Sequence, residues 1–171
     1  MFSQTVQDAI NKQINNELSA SYTYLAMSAY CEHENFIGCA KWMRLQSQEE
    51  YGHAMRLFDF LLARDGKVAL KAIAEPVIKF KTLTHVFESA LEQEQATSVE
   101  IDQLYELAMK EKAFSALVEV QWFITEQVEE EKTAREIVAK FHLAKDNPAA
   151  IMDLDRELGR RAPGSGADSG I

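Results

Sequence analysis

At 171 residues with 47% hydrophobic side chains, the chain has the size of one domain and can bury a core without disulfides or a structural metal. Its 18 basic and 27 acidic residues leave a net charge of −9, which argues against nucleic acid as a partner, because such binding neutralises phosphates with Lys and Arg. The long helical runs are studded with charges, the start MFSQTVQDAI has no signal-peptide pattern, and two cysteines, Cys31 and Cys39, make no disulfide framework; no membrane span and a reducing cytoplasm are expected.

Ser3 is the N-cap candidate of a first helix that runs to about Cys31. Gly38 and its neighbours open a second helix, which ends near Arg64-Asp65-Gly66. Residues 66–83, GKVALKAIAEPVIKFKTL, show no helical stripe and contain Pro76, so they predict one long connection. Extended, those 18 residues span roughly 60 Å, enough to return along a helix of roughly 42 Å. Thr84 is expected to cap a third helix, with Glu88 near the capping-box position, that runs to about Glu111. A fourth follows from about Ala113 to Leu143. Asn147-Pro148 supplies the N-cap and first residue of a short fifth helix with Ile151, Leu154 and Leu158 on one face. Five of the ten glycines and prolines lie in the last 13 residues, so 161–171 are expected to form a disordered tail after a domain of residues 1–160. The predicted fold is all-α: a four-helix bundle with one long crossover between helices two and three, plus the short C-terminal helix.

The apolar stripes of the four helices are interrupted at one depth. In the second helix the stripe reads Cys39, Met43, Gln46, Glu50, His53, Leu57, Phe60; in the first, Ile10, Ile14, Glu17, Ser21, Tyr24. The third reads Phe87, Leu91, Glu94, Ile101, and the fourth Val120, Phe123, Gln127, Glu130, Ala134, Ile137, Phe141. Glu17 and Glu50 are 33 residues apart, as are Glu94 and Gln127, and adding 77 maps Glu17, Glu50 and His53 onto Glu94, Gln127 and Glu130. Each helical hairpin therefore offers one residue from its first helix and an i, i+3 pair from its second, and such a pair shares a face.

Four carboxylates inside a bundle cost several kcal/mol each when unpaired. Two divalent ions would balance them. A set of hard oxygens with one imidazole and no thiolate favours iron or manganese over structural zinc. A lone buried Glu is more often salt-bridged than metal-bound, and an isolated Glu-x-x-His is common on solvated faces. The joint pattern over four helices is far more specific. His33, His85 and His142 have no such partners and are expected to be ordinary surface residues.

The segments NNELSASYTYLAMS, LQSQEEYGHAMRLFDFLLARDG, LEQEQATS and QWFITEQVEEEKTA resemble bacterial non-haem ferritins, over residues 1 to about 160. Ferritin-like di-iron bundles with inward Glu and Glu-x-x-His ligands are a known architecture. The resemblance implies a first iron at Glu17, Glu50 and His53, with Glu50 bridging, and a second at Glu94 and Glu130 with Gln127 close by. It implies a third iron site at Glu49, Glu126 and Glu129, with Glu130 shared, and a tyrosine beside the centre at Tyr24. By the 77-residue shift Tyr24 corresponds to Ile101, so the near-symmetry breaks there. Trp122 also follows the family, with packing at least as good an account of it as redox chemistry. Bacterioferritins carry a second Glu-x-x-His and a haem-ligating Met after the glutamate of the first; here Gln127-x-x-Glu130 and Tyr51 stand in those places, so no haem is expected. The paired scheme of di-iron oxygenases is likewise absent. Positions corresponding to the acidic three-fold pore of animal ferritins are Leu117 and Val120, with Glu119 between them.

The implied function is iron storage: Fe2+ is oxidised by dioxygen or hydrogen peroxide at a ferroxidase centre within each subunit and kept as ferric oxyhydroxide in a 24-subunit shell whose four-fold axis the fifth helix lines. The rival enzyme is a di-iron oxidase with an apolar pocket for an organic substrate. The rival of another class is a structural helical assembly indifferent to chelators.

Overall fold

The computed structural model describes residues 2–145 and 147–163, which form five helices and no strand among the described residues. They are α1 (Gln4–His33), α2 (Ile37–Ala63), α3 (Leu83–Lys110), α4 (Phe114–Ala144) and α5 (Pro148–Leu158). The all-α four-helix bundle with a fifth short helix is as the sequence predicts. Pairing is tightest between α1 and α2 and between α3 and α4; α1 also packs on α3, and α5 lies against α2 and α4.

Ser3 caps α1 by accepting from the Val6 N–H, and Asn147 caps α5 by accepting from Ala149 and Ala150. The cap of α3 differs from expectation. It is Thr82, with φ −150° and ψ 165°, whose Oγ1 accepts from the His85 N–H at 3.1 Å. Starting the helix at Leu83 places Leu83, Val86, Phe87 and Ala90 together in the core, so Thr84 is already inside it. Glu88 then makes no capping box and instead pairs with His142 Nε2 at 2.7 Å.

Three helices end in one motif without glycine at the left-handed position. Asn35, Asp65 and Lys112 have φ of 64°, 58° and 53°. In each case the next amide reaches back five residues: Phe36 to Cys31, Gly66 to Leu61 and Ala113 to Ala108, all at 2.9 Å. These are Schellman closures that satisfy the last carbonyls of the helix.

The crossover is fastened to α1 by side-chain amides. Gln7 Oε1 accepts from the Lys67 N–H. Asn11 donates to the Lys67 carbonyl and accepts from the Ala69 N–H; Asn15 donates to the Ala69 carbonyl and accepts from the Lys71 N–H. Gln7, Asn11 and Asn15 stand one turn apart, so they form one row facing the alternate residues Lys67, Ala69 and Lys71 of the crossover. At the opposite end α5 sits so close to α2 that a Cβ on Gly38 would lie 1.7 Å from the Asp155 carbonyl oxygen.

The core is two apolar clusters. One gathers Met27, Cys31, Met43, Phe87 and Phe141 towards the α5 end; the other gathers Val6, Ile10, Leu57, Leu61, Leu104 and Val120. Of the expected stripes, Phe60 and Leu91 are only half-buried, while their neighbours Leu61 and Ala90 are buried in their place.

Arg161, the first residue of the expected tail, is hydrogen-bonded to Gln46 and Glu49, a buried and a half-buried acceptor on α2. The rest of the tail assignment, 164–171, lies outside the described residues.

Asn11→Ala removes two crossover bonds and leaves the Ala69 N–H and Lys67 carbonyl without their partner. At roughly 1 kcal/mol net per bond, it should cost about 2 kcal/mol in chemical denaturation and speed hydrogen exchange at the Ala69 amide.

Candidate metal centre

Between the two apolar clusters lies a polar layer. Glu17, Gln46, Glu50, His53, Glu94, Gln127 and Glu130 are all buried, although their helices are otherwise lined by hydrophobic side chains at this face. Small residues let α1 and α2 approach here. Ser21 Oγ donates to the Ser47 carbonyl and Ser47 Oγ to the Ser21 carbonyl, both at 2.7 Å. One turn away on each helix, Glu17 and Glu50 meet.

The ligating atoms of Glu17, Glu50 and His53 lie within 4.8 Å of one another, and among the described residues this is the cluster of three or more such side chains so close. His53 Nδ1 is 3.2 Å from Glu50 Oε2. The imidazole is held edge-on by Trp122 and Phe123, with ring centroids at 5.5 and 5.8 Å. Opposite stand Glu94 and Glu130. Tyr24 donates its hydroxyl to Glu94, and Gln127 Nε2 donates to the Glu94 carbonyl and carboxylate at 3.2 and 3.3 Å. Gln46 Nε2 joins the two halves, donating to Glu130 Oε2 at 2.8 Å and to Glu50 Oε1 at 3.2 Å. Gln13 donates to Glu17 at 2.8 Å.

Donated hydrogen bonds do not offset the burial. Desolvation pushes the Glu17 carboxyl up to about 8, with Glu50 adding to the shift and the two carboxyls hydrogen-bonded to each other. Desolvation raises Glu50 strongly, helped by Glu94 and Glu130. Glu130 rises to about 7 through burial, with Glu94 and Glu49 adding to it, and Glu94 is raised by burial against the pull of Tyr24 and Gln127. Tyr24 is held protonated by the same burial and by Glu94 beside it. Carboxyls whose ionisation is opposed by burial and by one another are the donor set a pair of divalent cations would complete. Hard oxygens with one imidazole fit iron.

The third set is less closed. Glu126 is buried and raised by desolvation, with Glu49 and Glu129 adding to it, while Glu49 is half-buried and Glu129 exposed. The three are not gathered at ligating distance, and the Glu49 carboxylate is held by Arg161. Of the pore positions, Val120 is buried in the core and Glu119 is bonded to Arg56, whose guanidinium lies 4.0 Å over the Trp122 ring.

Three participants had no role in the sequence reading. Gln46 carried a signal, a polar residue on a core stripe one turn before Glu50. Gln13 stands one turn before Glu17 but off the stripe. Arg161 carried none, because its neighbourhood exists only after α5 has docked.

Residues 7–144 match the family described as ferritin-like domain. A bacterial non-heme ferritin of Bacteroides fragilis (strain 638R) is 42% identical over 162 residues, covering 94% of this chain and 100% of that one. One of Staphylococcus aureus (strain USA300) is 30% identical over 161 residues, covering 94% and 97%. Among solved structures, an open pore ferritin from the hyperthermophilic archaeon Archaeoglobus fulgidus superposes with a TM-score of 0.94 at 40% identity, covering 95% of this chain and 99% of that one.

Carboxyls held protonated in the fold keep protons that the unfolded chain releases at its ordinary value of 4.5. The stability of the metal-free bundle should therefore fall as pH rises from 4.5 through about 8, the value of Glu17, with the strongly raised Glu50 adding to the fall. Calorimetry should give a lower Tm above that window than at its acid end. A bound divalent ion, which takes the deprotonated carboxylates, should reverse the trend.

Proposed function

The chain belongs to the ferritin family, and on that footing we propose that it oxidises ferrous iron with dioxygen and stores the product as ferric oxyhydroxide inside a 24-subunit shell. The observation that carries the proposal is the buried cluster of Glu17, Glu50 and His53 facing Glu94 and Glu130, four carboxyl groups that no Lys or Arg pairs with among the described residues.

Two ferrous ions enter as substrate. Glu17 and His53 hold one, Glu94 and Glu130 the other, and Glu50 lies between them. Each ion gives up one electron, and dioxygen takes the two electrons and two protons to become hydrogen peroxide, or peroxide itself serves as oxidant. The Glu17 and Glu50 carboxyls, protonated when the site is empty, release protons as iron binds. Gln127 stands where a fifth carboxylate would tighten the second site; its neutral amide leaves ferric product free to move on. Tyr24, bonded to Glu94, is placed to orient that ligand or lend an electron. Glu49, Glu126 and Glu129 form the onward route, with Glu130 shared. The tail of the reaction is hydrolysis of ferric ions to mineral. The free, buried thiols of Cys31 and Cys39 suit a reducing cytoplasm, and no helix among the described residues is long and apolar enough to cross a membrane.

Assembly is supported by apolar side chains left on the outside of the single chain. Leu70, Val77 and Ile78 of the crossover and Phe114, Val118 and Val128 of α4 are each more than half exposed. Such surfaces ask for a partner. An oxidase acting on an organic substrate is less well supported. The cavity of about 450 Å³ between α3 and α4 touches Gln127, but Asp102, Glu131, Lys132 and Arg135 also line it.

Stopped-flow absorbance at fixed iron loading separates the two sets of glutamates. Glu50→Ala and His53→Ala should abolish the fast phase of ferrous oxidation. Glu49→Ala and Glu129→Ala should keep it and change its iron-to-oxygen ratio or its regeneration. A fast phase of wild-type size in Glu50→Ala would sink the di-iron proposal.

Light scattering coupled to size exclusion should give a mass near 24 subunits. A monomer or dimer as the sole species would count against storage.

A further inference from the structure

Arg161 follows α5, outside the residues matched by the family, yet it reaches the edge of the polar layer. Its side chain is 11% exposed and that of Glu49 18%. One nitrogen, Nη1, donates to Gln46 Oε1 at 2.8 Å; the other, Nη2, donates to the Glu49 carboxylate. The guanidinium also lies 4.8 Å from the centre of the Trp42 ring. Through its other end Gln46 donates to both Glu50 and Glu130. Two steps thus connect Arg161 with both halves of the centre.

Docking of α5 does not need these contacts. The Cys39 N–H donates to Asp155 Oδ1 at 2.8 Å, Lys41 Nζ to the Gly159 carbonyl at 2.8 Å, and Lys140 pairs with Glu157 at 2.5 Å. Gly38 and Gly159 meet backbone to backbone. Burying a guanidinium has a desolvation cost, and here the carboxylate it meets is one that would otherwise face Glu126 and Glu130 unbalanced.

We propose that Arg161 is the resting occupant of the cation position at Glu49, a tethered positive charge that a divalent ion must displace to pass. The proposal rests on the transit role given to Glu49 above. While seated, the guanidinium neutralises Glu49 and fixes the Gln46 amide so that it holds Glu50 and Glu130. Once displaced, it frees Glu49 to turn towards Glu126 and Glu129, and frees Gln46 from one of its three bonds. A planar two-pronged donor is needed for this, because one prong takes an amide oxygen and the other a carboxylate.

Zinc, which binds without redox chemistry, is the probe. Calorimetric titration of the assembled, metal-free protein should resolve a tight class at the di-iron ligands and a weaker class at the transit glutamates. Glu49→Gln should remove the weaker class. Arg161→Ala should tighten it by about tenfold or more, and Arg161→Lys, which keeps the charge but not the fork, by less. In the Glu49→Gln background, Arg161→Ala should change nothing further. Independently, in a Trp122→Phe background that leaves Trp42 as the reporting indole, zinc should shift the emission as the guanidinium leaves its ring, and this shift should be missing once Arg161→Ala is added. Unchanged or weaker zinc binding in Arg161→Ala, with light scattering showing intact assemblies, would overturn the proposal while leaving the transit role standing. Persistence of the weaker class in Glu49→Gln would overturn both.

Discussion

Four carboxyl groups buried at one level of a helical bundle are the constraint around which the rest of this molecule is arranged. Such groups repel one another and lose their hydration, and either consequence alone would split a core. The bundle tolerates them by confining them to a single layer. Apolar clusters above and below carry the packing, so the layer need only be satisfied. Its own helices supply the donors: Gln13 for Glu17, Gln46 for Glu50 and Glu130, Tyr24 and Gln127 for Glu94. All are neutral. Neutral donors stabilise a carboxylate modestly and leave the charge itself unbalanced, so the attraction for cations survives.

The two halves of the layer are related by a shift of 77 residues, and the departures from that relation are where function enters. His53 has Glu130 for a counterpart, Glu50 has Gln127, and Tyr24 has Ile101. The first half therefore holds a compact trio, whereas the second places Glu94 and Glu130 around an amide. An exact repeat would hold both ions alike. On the function proposed above, the broken repeat would give one firm and one looser position, as a site that must release what it binds requires.

The bundle and its layer were legible in the sequence because both rest on periodicity. A glutamate on a core stripe is an anomaly at a known depth, and Glu17, Glu50, Glu94 and Glu130 are buried as their stripes predict. What stayed hidden depends on tertiary neighbours. Thr82 and Thr84 flank Leu83 and carry the same capping chemistry; only the burial of Leu83 with Phe87 decides between them. The left-handed residues Asn35, Asp65 and Lys112 lack the glycine that usually marks such a site. Arg161 sits in a stretch whose composition reads as disorder, and its acceptors are more than a hundred residues away in sequence.

The row of amides along α1 works because two unlike rulers nearly agree. Four residues of helix advance about 6.0 Å, and two residues of extended chain about 6.6 Å. The difference of roughly 0.6 Å per rung accumulates as on a vernier scale. Over the two intervals from Gln7 to Asn15 it stays near ~1 Å, within the swing of a carboxamide; a few rungs further and donors would face donors. The fastening is thus self-limiting. It sets the height of the crossover along the bundle at one point of coincidence. Beyond Lys71 the row stops, with Ser19 in the place of a further carboxamide; Val77 and Ile78 turn outward, and the crossover meets α1 again where the Tyr30 hydroxyl donates to the Phe80 carbonyl at 3.3 Å. An insertion of two residues in the connection beyond Lys71 would leave the three rungs untouched, whereas an insertion of one between Lys67 and Ala69 would put the bonds to Ala69 and Lys71 out of phase.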